Sequence, residues 1–193
     1  MLIKTTLFAL LSSLALAGPA FAQAQRPAQP APAAPAPPAA GAVSQPDNTT
    51  ATYGDWVLRC QQGVGTNRVC EIVQTVEQQG QRGPVALVAV GRPVKGEPYK
   101  LVVQVPPNLT LGNNAGVRVS GGDKEDVVAL FQRCMPAGCF GEANLSDEAF
   151  KRWRGLSEAG QLRYLDAARR EVTLPISFRG FTAATDALVR EQP

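Results

Sequence analysis

Tyr53-Gly54-Asp55-Trp56-Val57-Leu58-Arg59-Cys60-Gln61, then Gly63-Val64-Gly65-Thr66-Asn67, then Arg68-Val69-Cys70-Glu71-Ile72-Val73-Gln74-Thr75-Val76-Glu77-Gln78, reads as two strands about a turn. A hairpin centred on Gly65 sets Cys60 opposite Cys70, Leu58 opposite Ile72 and Trp56 opposite Gln74. Cross-strand neighbours on one face lie about 4.5–5.5 Å apart at Cβ, within reach of a disulfide. The remaining cysteines, Cys134 and Cys139, enclose Met135-Pro136-Ala137-Gly138, whose Pro and Gly favour a chain reversal. The expected bridges are therefore Cys60–Cys70 and Cys134–Cys139. A redox pair is the functional alternative, but the spacing is C-x4-C rather than C-x-x-C. A four-thiolate zinc site lacks the usual knuckle spacing in both pairs.

Period-2 patterning continues outward from the hairpin. Tyr99, Leu101, Val103 and Val105 alternate with Lys100 and Gln104, and Val172, Leu174, Ile176 and Phe178 with Thr173, Pro175 and Ser177. Pro175 marks that last strand as an edge or an interruption. Val85 to Val90 is continuously apolar, as in a central strand covered on both sides. Further strands are expected near 116–120, 126–133 and 161–166. About eight strands at short spacing predict a mostly-β, antiparallel sandwich or barrel. Two short helices complete it. Ser146 caps the first, with Asp147 and Glu148 at its start, Lys151, Arg152 and Arg154 at its end, and Gly155 after it. Phe181, Ala184 and Leu188 at i, i+3, i+7 predict the second near 182–189.

The amino-terminal third differs. Lys4, the apolar stretch Thr5–Leu16 and Ala20-Phe21-Ala22 read as a cleavable signal peptide over residues 1–22. Residues 23–50 hold seven Pro and nine Ala with two charges, and read as a disordered, polyproline-leaning linker. Residues 52–189 then form one domain of ordinary size. Export puts the cysteines in an oxidising compartment, where bridges persist.

Composition also excludes. The chain has 193 residues, 19 Lys plus Arg, 16 Asp plus Glu, no His and a net charge of +3. No histidine triad, imidazole metal ligand or histidine switch is available. The charge is too small to argue for a nucleic-acid partner. Phosphate-loop, dinucleotide, HExxH and EF-hand patterns are absent. Gly112-Asn113-Asn114-Ala115-Gly116 and Gly121-Gly122-Asp123 fit hairpin turns, and Asp123, Glu125 and Asp126 a solvated turn. No catalytic, cofactor or metal residue is assigned. The most suggestive patch is basic: Lys151, Arg152, Arg154, Arg163, Arg169 and Arg170, set against Glu158 and Asp166. It could meet an anionic envelope or host-surface partner, or be ordinary helix-end and turn charge.

Tyr53-Gly54-Asp55-Trp56, Arg59-Cys60, Phe131-Gln132-Arg133-Cys134, Gly138-Cys139 and Leu174-Pro175-Ile176-Ser177-Phe178-Arg179-Gly180-Phe181-Thr182-Ala183-Ala184 follow one another in a familiar order. In this the chain resembles the invasion associated locus B family of exported bacterial proteins over nearly all of 52–188. The resemblance implies an immunoglobulin-like β-sandwich in a Gram-negative envelope, with periplasmic, surface or secreted location. It carries over no catalytic or cofactor residues. The expected function is a non-enzymatic envelope binding or structural module, contributing in pathogenic relatives to adhesion or host-cell invasion. The alternatives are thiol–disulfide exchange at Cys134/Cys139 and carriage of a small ligand.

Overall fold

A computed structural model describes residues 48–63, 68–94, 96–122 and 127–191, all within one compact unit. The expected signal peptide, the linker up to residue 47, the turn at 64–67 and the acidic turn at 123–126 lie outside the described residues. The elements are β1 Asn48–Tyr53, β2 Trp56–Gln62, β3 Arg68–Glu77, β4 Pro84–Gly91, β5 Tyr99–Val105, β6 Gly116–Ser120, β7 Val127–Met135, β8 Gly138–Leu145, α1 Asp147–Arg154, β9 Gly160–Leu165, β10 Glu171–Ile176 and α2 Phe181–Glu191. The class is as expected: mostly β, antiparallel, two helices, two disulfides.

The arrangement of the strands differs from the expected sandwich. Hydrogen bonds join all ten into one sheet, in the order β1-β2-β3-β4-β5-β8-β7-β6-β9-β10, curled as a half-barrel. The meander β1–β5 continues into the second half through a full β5–β8 ladder, from Tyr99 opposite Leu145 to Val105 opposite Cys139. Alternating burial declares which face of a strand meets the core. It does not declare whether the facing walls belong to two sheets or to one that curls.

Several local expectations are met. Cys60 faces Cys70 and Leu58 faces Ile72. Tyr99, Leu101, Val103 and Val105 are buried and their neighbours are not. β4 runs between β3 and β5, with Val85, Ala86, Val88, Ala89 and Val90 all buried. Pro175 sits in β10, an outermost strand. Ser146 Oγ accepts from Ala149 N–H at 3.1 Å, so α1 starts where its cap predicts.

Two boundaries move and one strand is added. β1 begins at Asn48, inside the stretch read as linker. The strand expected to run unbroken from Tyr53 is divided by a turn at Gly54-Asp55, where Gly54 has φ +59°. β8 is an additional strand.

The core fills the curl. α2 packs on β1, β2 and β3, and α1 packs on α2. Beneath them Trp56, Phe150, Trp153, Phe178 and Phe181 form one buried aromatic cluster, with Tyr99 stacked on Phe150 at 4.1 Å. Phe150 and Trp153 thus serve the core of the domain.

Both bridges close directly across paired strands, over sequence separations of 10 and 5. Loops this short give about 2–3 kcal/mol each in the loop-entropy model. Serine at both Cys60 and Cys70 should lower the unfolding free energy by that amount in urea titration. An unchanged urea midpoint would contradict it.

Candidate functional site

Of the six predicted basic residues, three lie in α1 and three in β9 and the turn that follows it. Lys151, Arg152 and Arg154 lie in α1, whose other face buries Ala149, Phe150 and Trp153. Arg154 is ion-paired to Asp186 of α2. Arg163 lies in β9, and Arg169 and Arg170 in the turn from β9 to β10. Arg170 pairs with Asp166 at 2.7 Å, and the Asp166 carboxylate also accepts from Arg170 N–H and Ala168 N–H. Hydrogen bonding from the Arg170 backbone, first among its contacts, holds the Asp166 carboxyl below its ordinary value. Arg154 and Arg170 each have a carboxylate partner, in surface pairs of the kind that contribute little to stability.

The second sulfur pair sits at a hairpin tip. Cys134 faces Cys139 across β7 and β8; Cys134 is exposed and Cys139 fully buried. Gln104 Nε2 donates to Ala137 O at 2.8 Å, which ties the tip to β5. Cys60 and Cys70 are both buried.

A groove of about 620 Å³ lies on the side of β6, β7 and β9 away from the core. Its origin is a ladder that stops. β6 pairs β9 only from Ser120 opposite Gln161 to Arg118 opposite Arg163. Beyond that, Thr110 takes over: Thr110 N–H donates to Leu165 O at 3.0 Å and its Oγ1 to Asp166 O at 2.6 Å. The loop through Gly112, Asn113 and Asn114 bulges over the gap as one wall. This Gly/Asn loop therefore joins β5 to β6, which are not neighbours, and is not the hairpin turn expected of it. Arg118 and Arg163 stand opposite each other beside half-exposed Val128, Leu130 and Leu165. Of this group only Arg163 was singled out in the sequence. The pairing of two arginines depends on a register between strands some forty residues apart, which no local pattern announces.

Sequence reasoning also passed over a polar seam. Asp55, in the β1–β2 turn, accepts from Arg179 Nε at 3.1 Å and from Ser177 Oγ at 2.6 Å, and is ion-paired to Arg179. Gln74 of β3 exchanges two bonds with the Ser177 backbone, 2.9 Å and 2.8 Å, and Trp56 Nε1 donates to Ser177 O at 2.9 Å. These contacts fasten the end of β10 to β3 and close the curl. The Arg179 hydrogen bond, then that of Ser177, draws the Asp55 carboxyl below its ordinary value.

A depressed carboxyl pKa stabilises the fold above the unfolded value of about 3.9, and the contribution is lost as pH falls through the folded value. Asp55→Asn should therefore lower stability at neutral pH. The difference from wild type should shrink as pH falls below about 4 and on through the lowered folded value. A pH-independent difference in urea midpoint would refute this. The seam acts on architecture, with Asp55 and Gln74 among the residues lining a second, shallower recess of about 300 Å³.

Comparison with known proteins follows the same span of chain. The family model described as invasion associated locus B (IalB) protein matches residues 56–189. An invasion protein B homolog of Brucella abortus strain 2308 is 25% identical over 137 residues, covering 71% of this chain and 77% of that protein. Its counterpart in Brucella abortus biovar 1 strain 9-941 gives the same figures. The crystal structure of invasion associated protein b from Bartonella henselae superposes with a TM-score of 0.62 at 21% identity, covering 74% of this chain and 96% of that one. That last likeness speaks for the fold.

Proposed function

We propose, from the premise that this chain belongs to the invasion associated locus B family, that it is a non-enzymatic binding or structural module of the bacterial cell envelope. The observation that carries the reading is covalent. All four cysteines are engaged in two bridges across adjacent strands, an arrangement that persists in oxidising compartments. In this reading residues 1–22 direct export and are removed. Residues 23–47 space the domain from its attachment, and the domain works in the periplasm, at the outer surface or after release. The names of the Brucella and Bartonella relatives connect those proteins with invasion. Adhesion or host-cell entry is the corresponding proposal for this chain. No helix of the described residues is long and apolar enough to cross a membrane.

The test is affinity capture from intact envelopes with the mature chain and with a version lacking residues 23–47, which leaves β1 whole. One envelope component retained by both versions supports a binding domain. Retention lost with the arm would move the binding role there. A turnover activity that co-purifies through several steps would overturn the non-enzymatic reading.

One observation favours a second reading. Cys134 is exposed at the hairpin tip while its partner is buried, which leaves one sulfur open to attack in thiol–disulfide exchange. Incubation with a glutathione redox buffer decides it. Mixed disulfide at Cys134 supports exchange; a pair inert to glutathione ends it.

A further inference from the structure

We propose that two copies of this chain pair through β1, antiparallel, about a two-fold axis at Thr50. This goes beyond the reading of the domain as a binding module and does not depend on it.

The first observation is an outermost strand without the usual guards. β1 ends the sheet, with β2 as its hydrogen-bonded neighbour. Natural proteins commonly protect such a strand with charge, proline or a bulge. β1 is Asn-Thr-Thr-Ala-Thr-Tyr, without charge or proline, and its register against β2 runs unbroken from Asn48 to Tyr53. Thr and Tyr also favour the extended chain. The strand is held in place beforehand, since α2 packs on it and Arg68 donates to Thr49 Oγ1. Joining a second strand to it therefore orders little that was loose.

The partner follows from self-complementarity. The β1–β2 hairpin closes on Gly54-Asp55, with Tyr53 opposite Trp56. In a hairpin with a two-residue turn, the residues beside the turn bond each other, and the alternation continues from there. Tyr53, Ala51 and Thr49 therefore give their backbone groups to β2. Asn48, Thr50 and Thr52 direct theirs away from it and make no backbone bond elsewhere among the described residues. A second β1 centred on Thr50 matches these groups. Thr50 then bonds its own copy, and Asn48 bonds Thr52 in both directions. The side chains of these three residues are exposed. They meet across the junction as Thr–Thr and Asn–Thr pairs, and hydrogen bonds between such side chains favour a ladder. No like charges come face to face: Arg59, opposite Thr50 on β2, is ion-paired to Glu71 at 2.7 Å. A foreign strand would have to supply this match, which a second copy has by identity.

The test is sedimentation velocity of the mature chain from about 10 μM to about 1 mM, because a contact this small is a weak one. A shift from monomer to dimer across that range is expected. Thr50→Glu should weaken association about tenfold, since two carboxylates then face each other at the axis. In the monomer the same carboxylate faces Arg59, so the fold is kept. Thr50→Val, still β-branched and uncharged, should leave the dimer in place. So should Thr173→Glu, a change at an exposed position of β10. Circular dichroism melts check that each variant is folded. Hydrogen exchange reads the register in the unaltered chain. The amides of Thr50 and Thr52 should slow as concentration rises, while those of Thr49 and Ala51, already bonded to β2, should not. A monomer throughout the range overturns the proposal and leaves β1 to a strand of another protein. A dimer indifferent to Thr50→Glu, or protection that rises elsewhere and not at Thr50 and Thr52, overturns it as well.

Discussion

Gly180→Ala is expected to lower the unfolding free energy by about 3–5 kcal/mol, combining backbone strain with a forced shift of packed backbone. Gly180 has φ +86°, where L side chains are strained. A Cβ there would also lie 2.1 Å from Tyr53 O and 2.5 Å from Tyr53 C. The atoms in the way are backbone of the β1–β2 turn, so no rotamer change relieves the clash. The same turn receives Asp55 N–H donating to Arg179 O at 3.1 Å, and Gly54 in turn abuts Arg179 O. Gly180 is thus where the return from β10 lies against the first turn of the domain. Gly80 is the control. Its φ is +82° but nothing lies within 4 Å of an added Cβ, so Gly80→Ala should cost about 1–2 kcal/mol of strain alone. Equal urea midpoints for the two variants would show that the seam yields without cost.

Phe181→Ala should be of similar size, about 3–5 kcal/mol, for a different reason. Phe181 is fully buried, and its ring centroid lies 5.0 Å from Trp56, 5.8 Å from Phe178, 6.1 Å from Trp153 and 6.2 Å from Phe150. It joins aromatic residues from β2, α1 and the connection between β10 and α2. Removing it leaves a cavity whose walls are anchored in different elements and cannot collapse together. Urea unfolding followed by tryptophan fluorescence reads the loss directly, because both tryptophans line the cavity. A loss below about 1 kcal/mol would mean that the helices repack. Phe181→Leu, which keeps most of the volume, should recover more than half of the stability.

Local geometry was the legible part of this fold. Cysteine positions and flanking apolar residues gave the β2–β3 register, because a bridge and an alternating face both allow only one alignment. The cap at Ser146 and the charge order through Arg154 located α1. β8 escaped notice because Gly141, Glu142 and Asn144 interrupt the apolar signal. Yet Gly141 is required there, since a Cβ would meet Ala129 O at 2.5 Å. β1 escaped because Asn48, Thr49 and Thr50 are polar residues of an edge strand. Neither feature can be read without knowing what lies across the sheet. The candidate site is less legible still. Each arginine of the facing pair reads by itself as an ordinary exposed strand residue. Only the pairing of β6 with β9, across the whole of β7, β8 and α1, makes them a site.

The two outermost strands have unequal consequences for self-association. β10 carries Pro175, which lacks an N–H and interrupts any new ladder laid along that rim, while β1 carries no proline. Copies joining by strand addition would therefore meet β1 to β1. An antiparallel contact of identical strands is two-fold symmetric and uses up the permissive rim of both partners. Association by this route stops at a pair, so a chain that is stored or displayed at high local density is guarded against end-to-end growth into fibres.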